Sequence, residues 1–361
     1  MNEISKMGHL ILVINTGNTS TKVGIFRGSE PVFIENIRHS DEELSRFKDI
    51  HSQKEFREKS VLDFLKSKQI KLEDLSAVAA RGGLLRPLES GTYEAIDKMI
   101  EDLIESRRGS HASHLSALIG DSLAKSVGIS CFVVDPVSVD EMEPIARYSG
   151  HKLFEREMLT HALNMKAVAK RYAKENNLDY GDIVLIVVHL GTGVSVSIHK
   201  NGRMVDAINP TEEGTFSLDR SGCLPILQVA RYIIENKLDY KTFSKMVFGS
   251  GGVYSYLNTK DFKKVSGMYQ KGDPEAINIV QAMAYQVAKE VGALATVNDG
   301  KIDCIIITGG MAHAEFFVDL IKKRIRFIAP IKMYPGEDEL RALAEGVNRV
   351  LNGEEEIGIY Q

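Results

Sequence analysis

Residues 10–25 read LILVINTGNTSTKVGI, and this stretch decides the fold. An apolar run of buried-strand type leads into a turn that carries Asn15, Gly17 and Asn18, and an alternating second strand follows. A turn that contains glycine lets backbone N–H groups approach an anion closely. The stretch therefore predicts a β-hairpin whose turn binds phosphate.

The same design recurs near the middle of the chain, where residues 183–198 read IVLIVVHLGTGVSVSI. His189 takes the place of Asn15, and Gly191 takes the place of Gly17. A third apolar run, at residues 302–310, also ends in paired glycines. One such hairpin alone is ordinary structure, but a matched pair in separate halves predicts a duplicated domain that binds a nucleotide between two lobes.

The composition of the 361-residue chain, 43% hydrophobic and 26% charged, favours an enzyme of about two domains. The net charge of −4 argues against nucleic acid as a partner, and no segment reaches the roughly 20 apolar residues of a membrane span. The N-terminal segment is too polar for a secretory signal, and three widely spaced cysteines indicate reduced thiols. We therefore expect a cytoplasmic protein.

Periodicity elsewhere predicts an α/β protein. Strands are predicted at 31–37, 77–80, 131–134 and 327–333, and helices within 39–75, 92–109, 115–126, 161–175, 226–236, 241–247, 273–299 and 339–351. Residues 209–225 form a long irregular loop, of the kind that is usually functional. His111 and His114 lack further ligands at metal spacing, so we interpret them as helix-cap or substrate-rim residues. No P-loop, complete GxGxxG, HExxH or GxSxG motif is present.

Four polar residues occupy positions where ligands are commonly bound. Arg81 and Asp135 each directly follow a predicted strand, and open α/β sheets bind ligands at the carboxyl ends of their strands. The alternatives are a surface arginine and a turn-forming aspartate. His161, in the first turn of a predicted helix, is either a cap or a cleft residue, and Arg220 is the cation within the long loop.

Taken together, these motifs resemble those of the acetate and butyrate kinase family over essentially the whole chain. VINTGNTSTK is similar to that family's VINAGSSSLK, VVHLGTG to CHLGNG, TEEG to TPLEG, DRSG to TRSG, TGG to GGIGE and GEDEL to NEEL. The segments RGGLLRP, VVDPV and HALNMKAVAKRY are most similar to those of butyrate kinases.

The resemblance implies an α/β fold of two duplicated ribonuclease H-like lobes, of the actin, Hsp70 and sugar kinase type. Mixed sheets flanked by helices would form each lobe, and the active site would lie in a cleft between them. The N-terminal lobe would comprise residues 1–155 plus 338–361, and the C-terminal lobe residues 156–337.

The resemblance also implies the catalytic roles. Arg81 would hold the acceptor carboxylate, Asp135 would face the transferred phosphoryl group, and His161 and Arg220 would stabilise the transition state. The implied nucleotide contacts are Asn15, Gly17, Asn18, Lys22, His189, Gly191, Thr192 and Gly193 for the phosphates, and Asp261, Lys263, Gly309 and Gly310 for adenosine.

Magnesium would be held by Asn15 and by the acidic segment GEDEL. Ungapped matching to the family motif favours Asp338, while its neighbours Glu337 and Glu339 compete for the same role. The two implied cofactors are therefore ATP and Mg²⁺.

The implied activity is transfer of the γ-phosphoryl group of ATP to a short-chain carboxylate, with butyrate as the closest match, in a homodimer or higher homo-oligomer. A carboxylate is already ionised at pH 7, so the reaction needs charge neutralisation and positioning more than a strong base. Isobutyrate, acetate and propionate stay open as acceptors. A sugar kinase would need an aspartate base near the hydroxyl, and an Hsp70-type protein would need a peptide-binding domain.

The acyl preference is predicted from three small residues. Gly82 and Gly83 stand where acetate kinases carry branched valines, and Thr160 stands where they carry an aromatic residue. If the vacated space is an apolar pocket, two extra methylenes at about 0.8 kcal/mol each favour butyrate over acetate by roughly 10-fold.

Overall fold

The predicted hairpin at residues 10–25 is present in the computed structural model, which describes residues 8–109 and 111–361. The strands are β1 (Leu10–Thr16), β2 (Ser20–Arg27), β3 (Glu30–Arg38), β4 (Ala77–Ala80), β5 (Thr92–Glu94), β6 (Cys131–Val134), β7 (Tyr148–His151), β8 (Phe154–Glu155), β9 (Leu185–Leu190), β10 (Val194–Lys200), β11 (Arg203–Ala207), β12 (Cys304–Gly309) and β13 (Ile331–Pro335). The helices are α1 (Asp41–Leu44), α2 (Lys54–Ser67), α3 (Asp97–Glu105), α4 (His114–Val127), α5 (Ala162–Glu175), α6 (Ile226–Glu235), α7 (Tyr240–Val247), α8 (Gly252–Leu257), α9 (Phe262–Gln270), α10 (Pro274–Ala295), α11 (Glu315–Ile325) and α12 (Glu339–Leu351).

Two mixed sheets share one pattern of strands. The first has the order β3-β2-β1-β4-β6-β5, in which β3, β2 and β1 are antiparallel neighbours and β4 and β6 run parallel to β1. The second has the order β11-β10-β9-β12-β13, with the same succession of antiparallel and parallel pairs. This repetition confirms the predicted duplication of an α/β unit.

Each sheet is covered by amphipathic helices. In the first, α12 packs against β1 and buries Leu343 and Val347, while α2 and α4 contribute to a separate apolar core. In the second, α10 packs against β9 and β10, and its N-terminus is capped by Asp273, which accepts the N–H groups of Glu275 and Ala276 at 3.0 Å. In the two described stretches, no helix is both long enough and apolar enough to cross a bilayer.

The described chain divides into two compact units. The first contains the described residues up to Val139, together with Ala162–Asn164 and Asp338–Gln361, and the second contains Asp140–His161 and Met165–Glu337. Residues 140–155, which the sequence assigned to the N-terminal lobe, group with the second unit, and residues 162–164 group with the first. Glu141, for example, accepts a hydrogen bond from the Met204 N–H at 2.6 Å.

Most predicted elements are confirmed, and the errors occur in short ones. The strands at 77–80 and 131–134 and the helix at 339–351 have the predicted bounds. The helix predicted within 92–109 is wrong at its start, because Thr92–Glu94 forms an edge strand paired with β6. The late strand begins at Ile331 instead of 327, and β7, β8, β11, α8 and α9 are additional elements.

Candidate active site

The first glycine turn joins β1 to β2 in the first unit. The Gly17 N–H donates to the Ser20 carbonyl over 2.8 Å, which closes the turn, and Asn18 lies exposed in it. Lys22 is paired directly with Asn15 across the two strands, so their side chains share one face of the sheet. The structure thus brings together the four residues of this hairpin that the motif singled out.

Asn15 and Arg81 meet at one carboxylate, that of Glu339. Asn15 Nδ2 donates to Oε2 of Glu339 over 2.5 Å, and Nη1 of Arg81 lies 2.6 Å from Oε1. Because β1 and β4 are parallel neighbours, their carboxyl ends deliver Asn15 and Arg81 to the same edge of the sheet. Within the described chain, Glu339 is the acid that forms an ion pair with Arg81.

The acidic segment before α12 is arranged differently from the ungapped match. Asp338 has its Oδ2 3.2 Å from Nε of Arg341, three residues further along the same helix. Glu339, the first residue of α12, is the acid that contacts Asn15. The residue at which α12 begins therefore decides which of the three consecutive acids reaches this edge. An ungapped comparison of sequence motifs does not reveal where the helix begins.

Asp135 is held in a strained conformation at the end of β6. Its φ of 38° lies in the left-handed region, which non-glycine residues rarely adopt. Oδ1 accepts hydrogen bonds from Ser90 Oγ at 2.6 Å and from the Gly91 N–H at 2.8 Å. Because Oδ1 is fully engaged in this way, a ligand group would approach Asp135 through Oδ2.

The space beside Gly82 and Gly83 is filled, which contradicts the predicted acyl pocket at these glycines. A Cβ on Gly83 would lie 2.6 Å from Nε2 of the His114 ring, and a Cβ on Gly82 would lie 2.7 Å from Cβ of Pro136. His114 is fully buried, and its Nε2 accepts the Leu84 N–H over 3.0 Å. Burial lowers the pKa of His114 to about 4, so the imidazole is neutral at pH 7.

The second glycine turn joins β9 to β10 in the second unit. The Gly191 N–H donates to the Gly193 carbonyl over 3.1 Å. A Cβ on Gly193 would lie 2.6 Å from Cζ of Arg220, so only glycine lets this guanidinium rest against the turn. The Leu218 N–H donates to the Thr192 carbonyl over 3.2 Å and ties the long loop to the same place.

His161 and His189 form a stacked pair in the second unit. Their ring centroids are 4.1 Å apart with an interplanar angle of 14°. His161 Nδ1 is hydrogen-bonded to Ser195 Oγ at 2.9 Å, and Glu337 Oε1 lies 3.2 Å from Nε2 of His189. Ser195 therefore holds the Nδ1 edge of the His161 ring, and Nε2 lies on the opposite edge of the imidazole.

Arg220 is a largely buried cation with few partners of its own. Its Nε is 3.9 Å from Oδ1 of Asp219 and is buried without a hydrogen-bond partner in the part of the chain that the structure describes. The guanidinium stacks over the Phe248 ring, 4.7 Å from the centroid. Burial lowers the pKa of Arg220 from its ordinary value, as expected for a cation removed from water.

Of the residues predicted to contact adenosine, Gly309 packs against Leu190, the last residue of β9 before the second turn. Gly309 has a φ of 92°, and a Cβ there would lie 2.5 Å from the Leu190 carbonyl oxygen. Gly310 follows it and opens a 3₁₀ turn. Asp261 caps α9 by accepting the Lys263 N–H at 2.9 Å, which is a structural role that a cap residue commonly has.

Comparison with known proteins places this geometry in a family. The family model described as "Acetokinase family" matches residues 144–334. Butyrate kinase 2 of Clostridium acetobutylicum is 47% identical over 352 residues, which cover 97% of this chain and 99% of the relative. The chain belongs to the acetokinase family.

Solved structures of other proteins in this acetokinase family show the same fold. Acetate kinase from Porphyromonas gingivalis superposes with a TM-score of 0.78 at 17% identity, and covers 95% of this chain and 100% of that one. A propionate kinase from Francisella tularensis gives a TM-score of 0.76 at 17% identity, with 94% and 98% covered. The predicted fold class is thereby confirmed.

The sequence analysis did not identify every residue that contacts the candidate site. Ser195 pairs with His189 across β10 and β9, so strand alternation after Gly193 contained a usable signal for it. Ser90 carried no such signal, because it contacts Asp135 only through the tertiary fold. His114, interpreted from the sequence as a helix-cap or substrate-rim residue, is buried against Gly83.

The residues at the edge of the first sheet fit a magnesium ion. Mg²⁺ prefers oxygen ligands and takes one or two from protein, with phosphates and waters completing an octahedron. Asn15 and Glu339 supply an amide oxygen and a carboxylate within one hydrogen-bonded pair. No cluster of three or more His, Cys, Asp or Glu side chains suited to a metal occurs among the described residues.

Proposed function

We propose that this chain phosphorylates butyrate, forming butanoyl phosphate and ADP from butyrate and ATP. The observation that carries the proposal is the 47% identity, over 97% of the chain, to a protein named butyrate kinase 2. Arg81 supports it chemically, because it lies at the end of β4 and its planar guanidinium matches the geometry of a carboxylate. We place the reaction in the cytoplasm, where ATP is available.

We propose direct in-line transfer, in which charge neutralisation is the main catalytic task. Arg81 holds the acceptor carboxylate, and the carboxylate oxygen attacks the γ-phosphorus as the bond to the β,γ-bridging oxygen breaks. Arg220 and Nε2 of His161 stabilise the charge that develops on the equatorial oxygens. Asp135 is proposed to face the transferred group, held in place by Ser90.

We propose that the two glycine turns hold the phosphates of ATP, the first with Gly17, Asn18 and Lys22 and the second with Gly191, Thr192 and Gly193. Gly309 and Gly310 are proposed to border adenosine, together with Asp261 and Lys263. His189 assists the second turn, and Glu337 orients His189 instead of binding metal. Asn15 and Glu339, in preference to Asp338, would hold Mg²⁺, which neutralises phosphate charge when bound.

The test is hydroxamate trapping of acyl phosphate with acetate, propionate, butyrate, isobutyrate and isovalerate. We expect ATP-dependent and acid-dependent acyl hydroxamate, with the highest kcat/KM for butyrate. A higher kcat/KM for a branched acid would move the assignment to a branched-chain acid kinase. Absence of product with every acid would overturn the proposed reaction.

We also propose that two copies of this chain associate through residues 219–250. Apart from Arg220, whose side chain is largely buried, all of these 32 consecutive residues are partly or fully exposed. The segment exposes large apolar side chains at fractions between 37% and 87%, namely Leu224, Ile226, Leu227, Tyr232, Ile234, Tyr240, Met246 and Phe248. Isolated helices shorter than about 12–15 residues are marginal in water, so the 10-residue α6 needs a covering partner.

A second copy is the occupant that fits this surface. The eight side chains expose on the order of 1,000 Å², against the roughly 800 Å² that each partner gives to a standard interface. The segment carries both Arg231 and Glu235, so two identical faces can meet with opposite charges paired. We expect sedimentation equilibrium to give twice the mass of one chain.

A matched pair of variants tests the surface. Leu227→Lys should dissociate the dimer, whereas Phe327→Lys, which alters a side chain outside the segment with nearly equal exposure (82% and 83%), should not. A monomeric wild type, or a Leu227→Lys variant that stays dimeric, would overturn the assignment of this surface.

A further inference from the structure

Arg57, on α2, is a buried cation whose guanidinium donates hydrogen bonds to backbone carbonyls of the first glycine turn. It is 0% exposed, and all five of its N–H donors are used. Nη1 donates to the carbonyls of Gly17 at 2.8 Å and Ser20 at 3.0 Å, and Nη2 donates to the carbonyl of Asn18 at 2.9 Å. Nε and Nη2 also donate to Oε1 of Gln53, at 3.0 and 2.8 Å.

No carboxylate in the described chain forms an ion pair with Arg57. Burial lowers its pKa to about 10, so the guanidinium stays protonated at neutral pH. Burial and the charge of Arg57 lower the pKa of His39, so this imidazole is neutral at pH 7 and adds no second positive charge. A buried cation without an anion is costly unless something else balances its charge. Carbonyl dipoles supply part of that balance here.

The hydrogen bonds from Arg57 to these carbonyls also fix the direction of the backbone N–H groups that follow them in the turn. In a trans peptide the C=O and the following N–H point in opposite directions. Because the carbonyls of Gly17 and Asn18 point to Arg57, the N–H groups of Asn18 and Thr19 point away from it. Neither N–H donates to any group that the structure describes, and both residues are exposed. Successive outward N–H groups of this kind form an anion-binding nest.

We propose that Arg57 is a positioning residue for nucleotide binding: it holds the first turn so that the N–H groups of Asn18 and Thr19 face a phosphate of ATP, whose charge balances the buried guanidinium. The inference rests on the proposed function, because it takes this turn as a phosphate site. The ligand group is a phosphate of the nucleotide, and Arg57 does not touch it.

Equilibrium binding separates positioning from a purely structural role. Arg57→Lys keeps the charge but cannot reach three carbonyls and Gln53 together, and charge-assisted hydrogen bonds of this type contribute enough to predict a roughly 10- to 100-fold weaker Kd for ATP. Its affinity for adenosine, which has no phosphate, should stay within twofold of the wild type. Loss of stability alone would not distinguish the two ligands.

The matched control is Val61→Ala, on the same helix and 0% exposed, which should lower the melting temperature and leave the Kd for ATP unchanged. A milder variant, Gln53→Ala, removes the acceptor of two Arg57 donors and should weaken ATP binding about threefold. ATP affinity within twofold of the wild type in every Arg57 or Gln53 variant that folds overturns the proposal. Binding needs no acid substrate, so a wild type that binds ATP but makes no acyl phosphate refutes the proposed reaction separately.

Discussion

Substitution at Gly83 tests what sets the acyl preference. Gly83→Val places a branched side chain where the His114 ring lies, with Nε2 only 2.6 Å from the new Cβ. Overpacking of a filled core costs about 1–3 kcal/mol, and displacing the ring also removes the hydrogen bond that Nε2 accepts from Leu84. At about 2–4 °C per kcal/mol for a unit of this size, we expect the melting temperature to fall by roughly 4–10 °C.

The double variant Gly83→Val/His114→Ala shows where the strain lies. His114→Ala alone leaves a cavity and an unpaired Leu84 N–H, at a cost of about 2–4 kcal/mol. In the double variant the valine enters that cavity, so the two costs should fall short of additivity by about 1 kcal/mol or more. Strict additivity would show that valine does not occupy the space of the ring.

The kinetic readout is the ratio of kcat/KM for butyrate to that for acetate. Because His114 already fills the space beside Gly83, the ratio should change less than twofold in folded Gly83→Val protein. A fall in the ratio approaching 10-fold would refute this reasoning and restore the pocket at Gly83. We expect Thr160→Phe, at the remaining small position, to lower the ratio instead.

Other variants examine the charged groups. Arg220→Ala should lower kcat by about 10³-fold and leave the Kd for ATP nearly unchanged, and an equal loss of ATP binding would contradict its role at the transition state. Glu339→Gln should raise the Mg²⁺ concentration needed for half-maximal rate at least 10-fold, whereas Asp338→Asn should not; equal effects would reject the preference for Glu339. Ser195→Ala should lower kcat about 10-fold and shift its pH profile, because His161 loses its Nδ1 partner; an unchanged profile would count against this positioning. Acidification from pH 6.5 to 4 should reduce the free energy of unfolding by roughly 3 kcal/mol through His114, because this imidazole is protonated in the unfolded chain but stays largely neutral in the folded one. Urea titrations should show a smaller loss in His114→Ala. An equal loss in this variant would mean that other groups cause the pH dependence.

The sequence predicted best those helices and strands whose hydrophobic pattern is contained within the segment itself. The strand at 77–80 and the helix at 339–351 were predicted with correct bounds, because an apolar run and a 3.6-residue period are contained within each segment. Thr92–Glu94 was assigned to a helix, because its strand partners are residues of β6 about 40 positions later. Pairing between distant segments leaves no trace in a local period.

The candidate site shows the same division. Asn15 and Arg81 were identified because each lies at the carboxyl end of a strand, and the apolar run that precedes each residue predicts that strand. Glu339 was ranked behind Asp338, because the choice depends on the residue at which α12 begins. The volume beside Gly83 was misjudged for a related reason. The missing side chain of Gly83 is visible in the sequence, but the His114 ring that fills the space comes from α4, a distant segment of the chain.

The packing of α12 on β1 has a consequence for biosynthesis. Glu339 reaches Asn15 across 324 residues of sequence, so the first sheet is synthesised early but acquires its last helix late. At 5–20 residues per second, the ribosome needs roughly 10–40 s to travel from Val139 to the end of α12. During that time the strands of the first unit lack α12, the helix that carries the buried side chains of Leu343 and Val347, while all residues of the second unit are synthesised. A nascent chain interrupted before residue 338 therefore contains all residues of the second unit, while the sheet of the first unit has one bare apolar face, the kind of surface that chaperones bind.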